Sequence, residues 1–416
     1  MGNFSYMNFD KSKKQVFLLY CSTIGGVLLG VLVSVLNTHS LDPSAYGNVR
    51  YVYNLISFFS GIFLFGYFVS GSRLLALAET KEEASRIKGA LIYILSITIL
   101  LMMIVMIICG LFHHHYLHKD YYILFYYSLP VCGSVLLLNY INTSSQGDNS
   151  IYTIAAARIL PQIMYLLFAP ITYYYYGATS TRMLLLQNGI ATIILTILIF
   201  KNAPKFSSLK KSLHKLRIEN KKYGLQVYYG SLANVSIQNI AGVSLGILGA
   251  DNTFVGFYTL ALTVTTPLMM LPNVIGTTYF KQFAHQKCIP HKVINATYLM
   301  SGITMIGFCL FIYPVVNILY SESYSEVAFY ASIMAIGFTL QGLGDVYNRF
   351  LGAHGLGNYL RNAAFISGGV AFIGYTFGVY YGGITAAIVT RILSSAIYFF
   401  VIFFYYKKET SFNVIQ

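Results

Sequence analysis

The sequence predicts an all-α protein that crosses a membrane many times, and three observations predict it. Apolar residues make up 56% of the 416 positions and charged ones only 10%, too few to cover a soluble surface of that size. Long apolar runs follow one another from residue 15 to residue 406, each able to cross about 30 Å of hydrocarbon. Alternating strands of roughly ten residues are absent, and backbone in lipid must bond to itself, so the runs are helices rather than barrel strands. A water-soluble enzyme is excluded on composition.

Polar punctuation and turn signals divide the chain into twelve spans. The first six run over 15–38, 50–76, 89–112, 121–144, 151–175 and 182–200; the second six over 224–249, 254–280, 293–318, 327–349, 360–381 and 384–406. The first follows Lys11, Lys13 and Lys14 like a signal peptide, but it continues apolar without a small-residue cleavage site and reads as a retained helix.

Charge sets the expected orientation. With the N-terminus in the cytoplasm, the basic residues fall overwhelmingly on the inner side, and only Arg50, Lys119 and Arg182 lie outside. An even number of spans then returns the C-terminus, with Lys407 and Lys408, to the cytoplasm. The net charge of +14 is therefore a membrane signal and not a nucleic-acid-binding face. Tyrosines at helix ends, such as Tyr173 to Tyr176 and Tyr405 to Tyr406, supply the aromatic belt in a chain without tryptophan.

Two halves follow from the pattern: a six-helix bundle over 1–200, a basic cytoplasmic linker over 201–223, and a second six-helix bundle with a short tail over 224–416. The linker mixes Lys210, Lys211, Lys215, Arg217, Lys221 and Lys222 with Leu209, Leu213, Leu216 and Ile218, so it reads both as a connector and as an amphipathic helix on the inner leaflet. The halves also echo each other. Asp42-Pro-Ser-Ala-Tyr-Gly47 after the first span matches Asp251-Asn-Thr-Phe-Val-Gly256 after the seventh. Gly147, Asn149 and Ala155-Ala156 match Gly355, Asn358 and Ala363-Ala364. Six spans per repeat give both bundles the same membrane orientation.

Charges inside spans cost roughly 2.5 to 3.5 kcal/mol each on insertion scales and should face a cavity or a partner. Arg158 lies about two turns into the fifth span and Arg391 about 10 Å into the twelfth, which favours a wet, positively biased cavity over bonding to backbone carbonyls. Arg73 and Arg349 end the second and tenth spans, where snorkelling competes with a cavity role, and Asp345 is spaced to pair with Arg349. Asn54, Gln238, Asn239 and Gln341 add neutral groups that suit sugar hydroxyls and equally suit helix bridging, as do Asn234 and Asn139. Gly26-xxx-Gly30 and Gly242-xxx-Gly246 allow close helix approach, and Pro130, Pro161, Pro267 and Pro272 bend or open their helices. His113, His114, His115 and His118 cluster in an exterior loop without the spaced ligands of a metal site. Cys21, Cys109, Cys132, Cys288 and Cys309 show no pairing or metal spacing. No phosphate loop or paired deep carboxylates occur, so no enzyme activity, cofactor or metal is expected.

The Leu41-Asp42-Pro43-Ser44-Ala45-Tyr46-Gly47 turn, Gly71-Ser72-Arg73, and the stretch Asn348-Arg349-Phe350-Leu351-Gly352-Ala353-His354-Gly355 resemble the bacterial polysaccharide repeat-unit flippases of the Wzx or RfbX type. These belong to the multidrug/oligosaccharidyl-lipid/polysaccharide exporter (MOP) superfamily. The resemblance covers nearly the whole chain. It implies a MATE-like fold of two V-shaped bundles in the bacterial cytoplasmic membrane. The implied cargo is undecaprenyl-pyrophosphate-linked oligosaccharide, moved from the inner to the outer leaflet, with membrane lipids around the chain and a polysaccharide polymerase as a partner. Assigning Arg158, Arg391, Arg73 and Arg349 with Asn54, Gln238, Asn239 and Gln341 to the cargo is an inference from depth and chemistry, because the family supplies no fixed motif for them. A cation-coupled multidrug exporter of the same superfamily and a membrane glycan polymerase or acyltransferase are the competing readings.

Overall fold

A computed structural model describes the backbone of residues 4–415, with side chains described for 18–19, 21–229, 232, 239–280 and 282–410. Among the described residues the chain is helical and has no strand, as the sequence predicts. The helices are α1 (Phe4–Ser40), α2 (Pro43–Ile62), α3 (Tyr67–Ala76), α4 (Lys81–His115), α5 (Ile123–Ser128), α6 (Ser134–Gly147), α7 (Ile151–Tyr176) and α8 (Ser180–Lys201). They continue as α9 (Leu209–Glu219), α10 (Leu225–Leu248), α11 (Thr253–Phe283), α12 (His291–Leu319), α13 (Glu326–Ala353), α14 (Gly357–Ile373) and α15 (Val379–Ile415). Eight described helical stretches are long and apolar enough to cross a membrane, or nine if the bent pair α2 and α3 forms one span.

The outward surface is that of a protein in lipid. Leu100, Ile104 and Ile108 of α4 are 59%, 53% and 57% exposed, and Leu299, Ile303 and Leu310 of α12 are 66%, 60% and 68% exposed. A helix apolar on its outer as well as its inner face has no stable place in water.

Several runs that read as continuous spans are broken. The apolar stretch 50–76 divides at 63–66, where α2 and α3 meet at 61° and Phe65 and Gly66 adopt φ of 46° and 77°. The stretch 121–144 divides into α5 and α6 around Pro130, as that proline suggests. The last two spans run on as one helical stretch, Gly357–Thr410, but Gly383 (φ 53°, ψ −135°) interrupts it where the sequence places their turn.

The chain forms two compact units. One holds Met1–Leu41 and Val52–Leu232, the other Asp42–Tyr51 and Ala233–Gln416. In the first unit α1 packs on α7, α7 on α8, and α3 on α6. Val33, Tyr165 and Ala169 form a buried cluster between α1 and α7. In the second unit α13 lies at the centre, packed by α11, α12 and α15. One of its buried clusters gathers Phe283, Phe350, Tyr347, Phe399 and Tyr406. The start of α2 belongs to this unit: Asn252 Nδ2 donates to Asn48 Oδ1 at 2.8 Å, and the Tyr51 ring lies over Gly246, where a Cβ would come within 2.0 Å of it.

Two features bear on the expected packing. Tyr406 is buried against its neighbours, and its hydroxyl accepts the Ile289 amide at 3.1 Å; Tyr405 stacks on Tyr359 at 4.5 Å. A Cβ on Gly26 would meet nothing within 4 Å, so Gly26 lines a space instead of a helix contact.

Candidate functional site

The space that Gly26 lines is an open cavity of about 460 Å³ lined by residues of the first unit. It exists because α7 departs from an apolar helix along one stripe. Arg158, Gln162 and Tyr165 recur at helical spacing, so all three project to one side, and Pro161 stands between them. Opposite them α1 offers Ser22 and Thr23, α6 offers Ser134, and α8 offers Gln187 and Asn188.

Arg158 is half-buried and donates from Nη1 to Thr23 Oγ1 at 2.7 Å. Thr23 is free to accept because its own hydroxyl hydrogen goes to the Leu19 carbonyl at 2.8 Å. Among the lining residues there is one cation and no acid, and Arg158 makes no ion pair among the described residues. Gln162 Oε1 has no hydrogen-bond partner among the described residues. At the far end Tyr165 donates to Asn37 Oδ1 at 2.5 Å and shares a 2.7 Å bond with Tyr173, while Ser134 and Asn188 meet at 3.4 Å. The cavity therefore offers a guanidinium with spare donors and several neutral amides and hydroxyls. That chemistry suits an anionic, hydroxyl-rich ligand.

The other expected site residues are placed differently. Arg73 extends from α3 to Glu219 Oε1 at 2.7 Å and lies over the Tyr223 ring at 5.0 Å, so it ties α3 to the linker. Arg391 and Gln341 come together in the second unit: Nη2 donates to Oε1 at 2.6 Å, and the guanidinium sits 4.5 Å over Phe338. Arg349 donates to Asn273 Oδ1 at 3.3 Å. Its expected pairing with Asp345 does not form among the described residues, because Asp345 Oδ1 accepts from Tyr398 at 2.9 Å and each side chain finds its partner on a different neighbouring helix. Asn54 is half-buried on α2 and Asn239 half-buried on α10, neither of them lining the cavity. The side chains of Gln238 and Asn234 lie outside the described residues.

Thr23, Gln162, Tyr165, Gln187 and Asn188 escape sequence reasoning that searches for charges alone. The stripe of Arg158, Gln162 and Tyr165 in an apolar helix was the available signal. The histidine cluster resolves into packing: His113 is buried, bonds Cys109 O at 2.7 Å through Nδ1 and lies 4.6 Å from the Phe125 ring.

Residues 12–284 match the family described as polysaccharide biosynthesis protein, well over half of the chain. The chain belongs to the polysaccharide biosynthesis protein family. Among solved structures this family member is similar to the lipid II flippase MurJ in an inward closed conformation, with a TM-score of 0.70 and 16% identity over 95% of this chain and 89% of that one. It is similar to an inward-facing multidrug resistance MATE family transporter of the MOP superfamily, with a TM-score of 0.68 and 14% identity over 93% and 94% of the two chains. A Vibrio cholerae MATE transporter, VcmN, follows at 0.57, with 13% identity over 95% and 96%. At these identities the likeness establishes the fold, which is that of MOP-superfamily transporters, as the sequence predicts. The neighbours are a flippase and transporters rather than enzymes. No curated protein sequence matches the chain.

Proposed function

We propose that this polysaccharide biosynthesis family member moves undecaprenyl-pyrophosphate-linked oligosaccharide repeat units across the bacterial cytoplasmic membrane for surface polysaccharide assembly. In this reading two six-helix bundles, 1–200 and 224–416, joined by the basic linker 201–223, alternate their exposure of a cargo site, and a polysaccharide polymerase takes the product. The observation that carries the reading is Arg158: a guanidinium with no acidic partner among the described residues, opening on a cavity lined by neutral amides and hydroxyls. A cation-coupled multidrug exporter is expected to hold a carboxylate for its ion, which the residues lining this cavity do not supply, whereas a pyrophosphate headgroup pairs with the guanidinium.

The test is a deletion strain. Lipid-linked repeat units should accumulate on the inner leaflet and surface polymer should disappear. Normal surface polymer, in a strain without a redundant transporter, would falsify the reading. A changed drug-resistance profile on overexpression, with surface sugar unaffected, would assign the chain to multidrug export instead.

A further inference from the structure

The segment between α8 and α10 carries a second chemistry that transport through the first unit does not use. Helix α9 and the π turn that follows it (Asn220–Gly224) bury one side, with Ser212, Leu216, Asn220 and Gly224 turned into the first unit. The other side is basic. Lys210, His214, Arg217 and Lys221 fall on one exposed stripe, flanked by exposed Lys211 and Lys222. Ile218 and Phe206, 55% and 51% exposed, adjoin them.

Three nearby acids are already taken. Glu219 pairs with Arg73 at 2.7 Å, Glu83 with Lys215 at 2.7 Å, and Glu82 with Arg86 at 2.8 Å and Lys205 at 3.9 Å. Lys210, Lys211, Arg217, Lys221 and Lys222 have no acidic partner among the described residues. Like charges one turn apart, as at Arg217 and Lys221, repel and weaken a helix unless an external anion compensates.

The pairs also fix the height of this helix. Glu82 and Glu83 stand in the first turn of the apolar helix α4, and Arg73 in the last turn of α3. The Lys205 amide bonds the Ser85 carbonyl at 2.9 Å. A helix held to the ends of spans lies at the depth of lipid headgroups. Basic stems with apolar and aromatic neighbours suit that zone.

We infer that the exposed face of α9 and its π turn binds the anionic phospholipid headgroups of the leaflet it lies against. The inference is independent of the cargo. Five cations without internal partners make the attraction electrostatic, so it weakens with ionic strength and by several-fold for each cation removed.

The experiment uses the full chain released from bilayers of phosphatidylcholine and phosphatidylglycerol and weighed by native mass spectrometry. Wild type should retain phosphatidylglycerol several-fold over phosphatidylcholine, and the enrichment should fall at about 0.5 M salt, where screening shortens to a few ångströms. Replacing Lys210, Lys211, Arg217, Lys221 and Lys222 together by Gln should abolish it, while arginine at the four lysines should keep it. Equal retention of both lipids by wild type, enrichment insensitive to salt, or full enrichment in the Gln variant would each overturn the inference. Should the Gln variant not fold, glutamine at Lys221 and Lys222 alone decides: it should lower the enrichment several-fold, and unchanged enrichment would overturn the inference. Capture of an acidic protein at α9 without phosphatidylglycerol enrichment would assign the face to that partner and also overturn it.

Discussion

The carbonyl oxygen of Asn252 lies 1.8 Å from the point where a Cβ on Gly47 would stand, and a Cβ on Gly256 would come 2.8 Å from the carbonyl oxygen of Pro43. The contact is reciprocal: the first and fifth residues of the turn Pro43–Gly47 meet the fifth and first of the turn Asn252–Gly256. These are the turns that repeat between the two halves of the sequence, and they touch backbone to backbone. Both turns lie in the second unit, where their contact anchors the start of α2.

A reversible short-linker cross-link between cysteines at 48 and 252, whose native side chains hydrogen-bond at 2.8 Å, joins two segments of one unit and is therefore expected to leave transport intact. Surface polymer output, in a background with the native cysteines replaced, is the readout, and loss of output on cross-linking that returns on reduction would show that the cycle parts this contact. Gly47→Ala is expected to lower the melting temperature, because the new methyl meets a carbonyl rather than a movable side chain and overpacking costs about 1 to 3 kcal/mol.

Arg158 and Arg391 should respond differently to the same change. Arg158→Gln removes a cation that opens on the cavity and should cut surface polymer about tenfold or more at unchanged protein level, as expected from losing a charged hydrogen bond of about 1.5 to 3 kcal/mol. Arg391→Gln instead leaves Gln341 Oε1 without its donor inside the second unit. Lower thermal stability is its expected signature, and immunoblot level against polymer output separates the two effects.

The break in the second span predicts a third pair. Tyr228 donates to the Ile62 carbonyl at 2.5 Å, so Tyr228→Phe leaves that carbonyl bare and should cost about 1 kcal/mol. A Cβ on Gly224 would stand 2.0 Å from Ser70 Oγ, 2.2 Å from Asn220 Oδ1 and 2.6 Å from the Gly66 carbonyl. Gly224→Ala should therefore be much the worse of the two in a thermal unfolding series in detergent.

Alanine at His114, His115 and His118 should leave polymer output near wild type. His113→Ala should lower stability alone, since its ring packs on Phe125 and bonds Cys109 O. Abolition of surface polymer by the triple change, with the protein folded, would revive the enzymatic reading of that loop.

Fold class was legible because apolar runs and sparse charge leave few alternatives, and Arg158 was legible because a guanidinium stands out in an apolar run. What stayed hidden was what depends on distant partners. The run 50–76 is apolar without interruption, and Gly66 is one of 35 glycines, so nothing local marks it as the place where the helix turns. Spacing suggested that Asp345 and Arg349 pair, but spacing along one helix carries no information about Tyr398 and Asn273 on the neighbours that take them. Gln162 and Asn188 read as ordinary bridging amides until the helices around them enclose a cavity.

The broken second span also constrains how the chain is made. Its freed Ile62 and Phe65 carbonyls are held by Tyr228 and Asn220, the latter at 3.0 Å, which leave the ribosome more than 150 residues later. Until then the break has no native partner for these groups, and an unpaired carbonyl in lipid is costly. The N-terminal bundle thus waits on the start of α10 to complete its fold, and a nascent chain halted before residue 220 should sit in the membrane protease-sensitive at this joint.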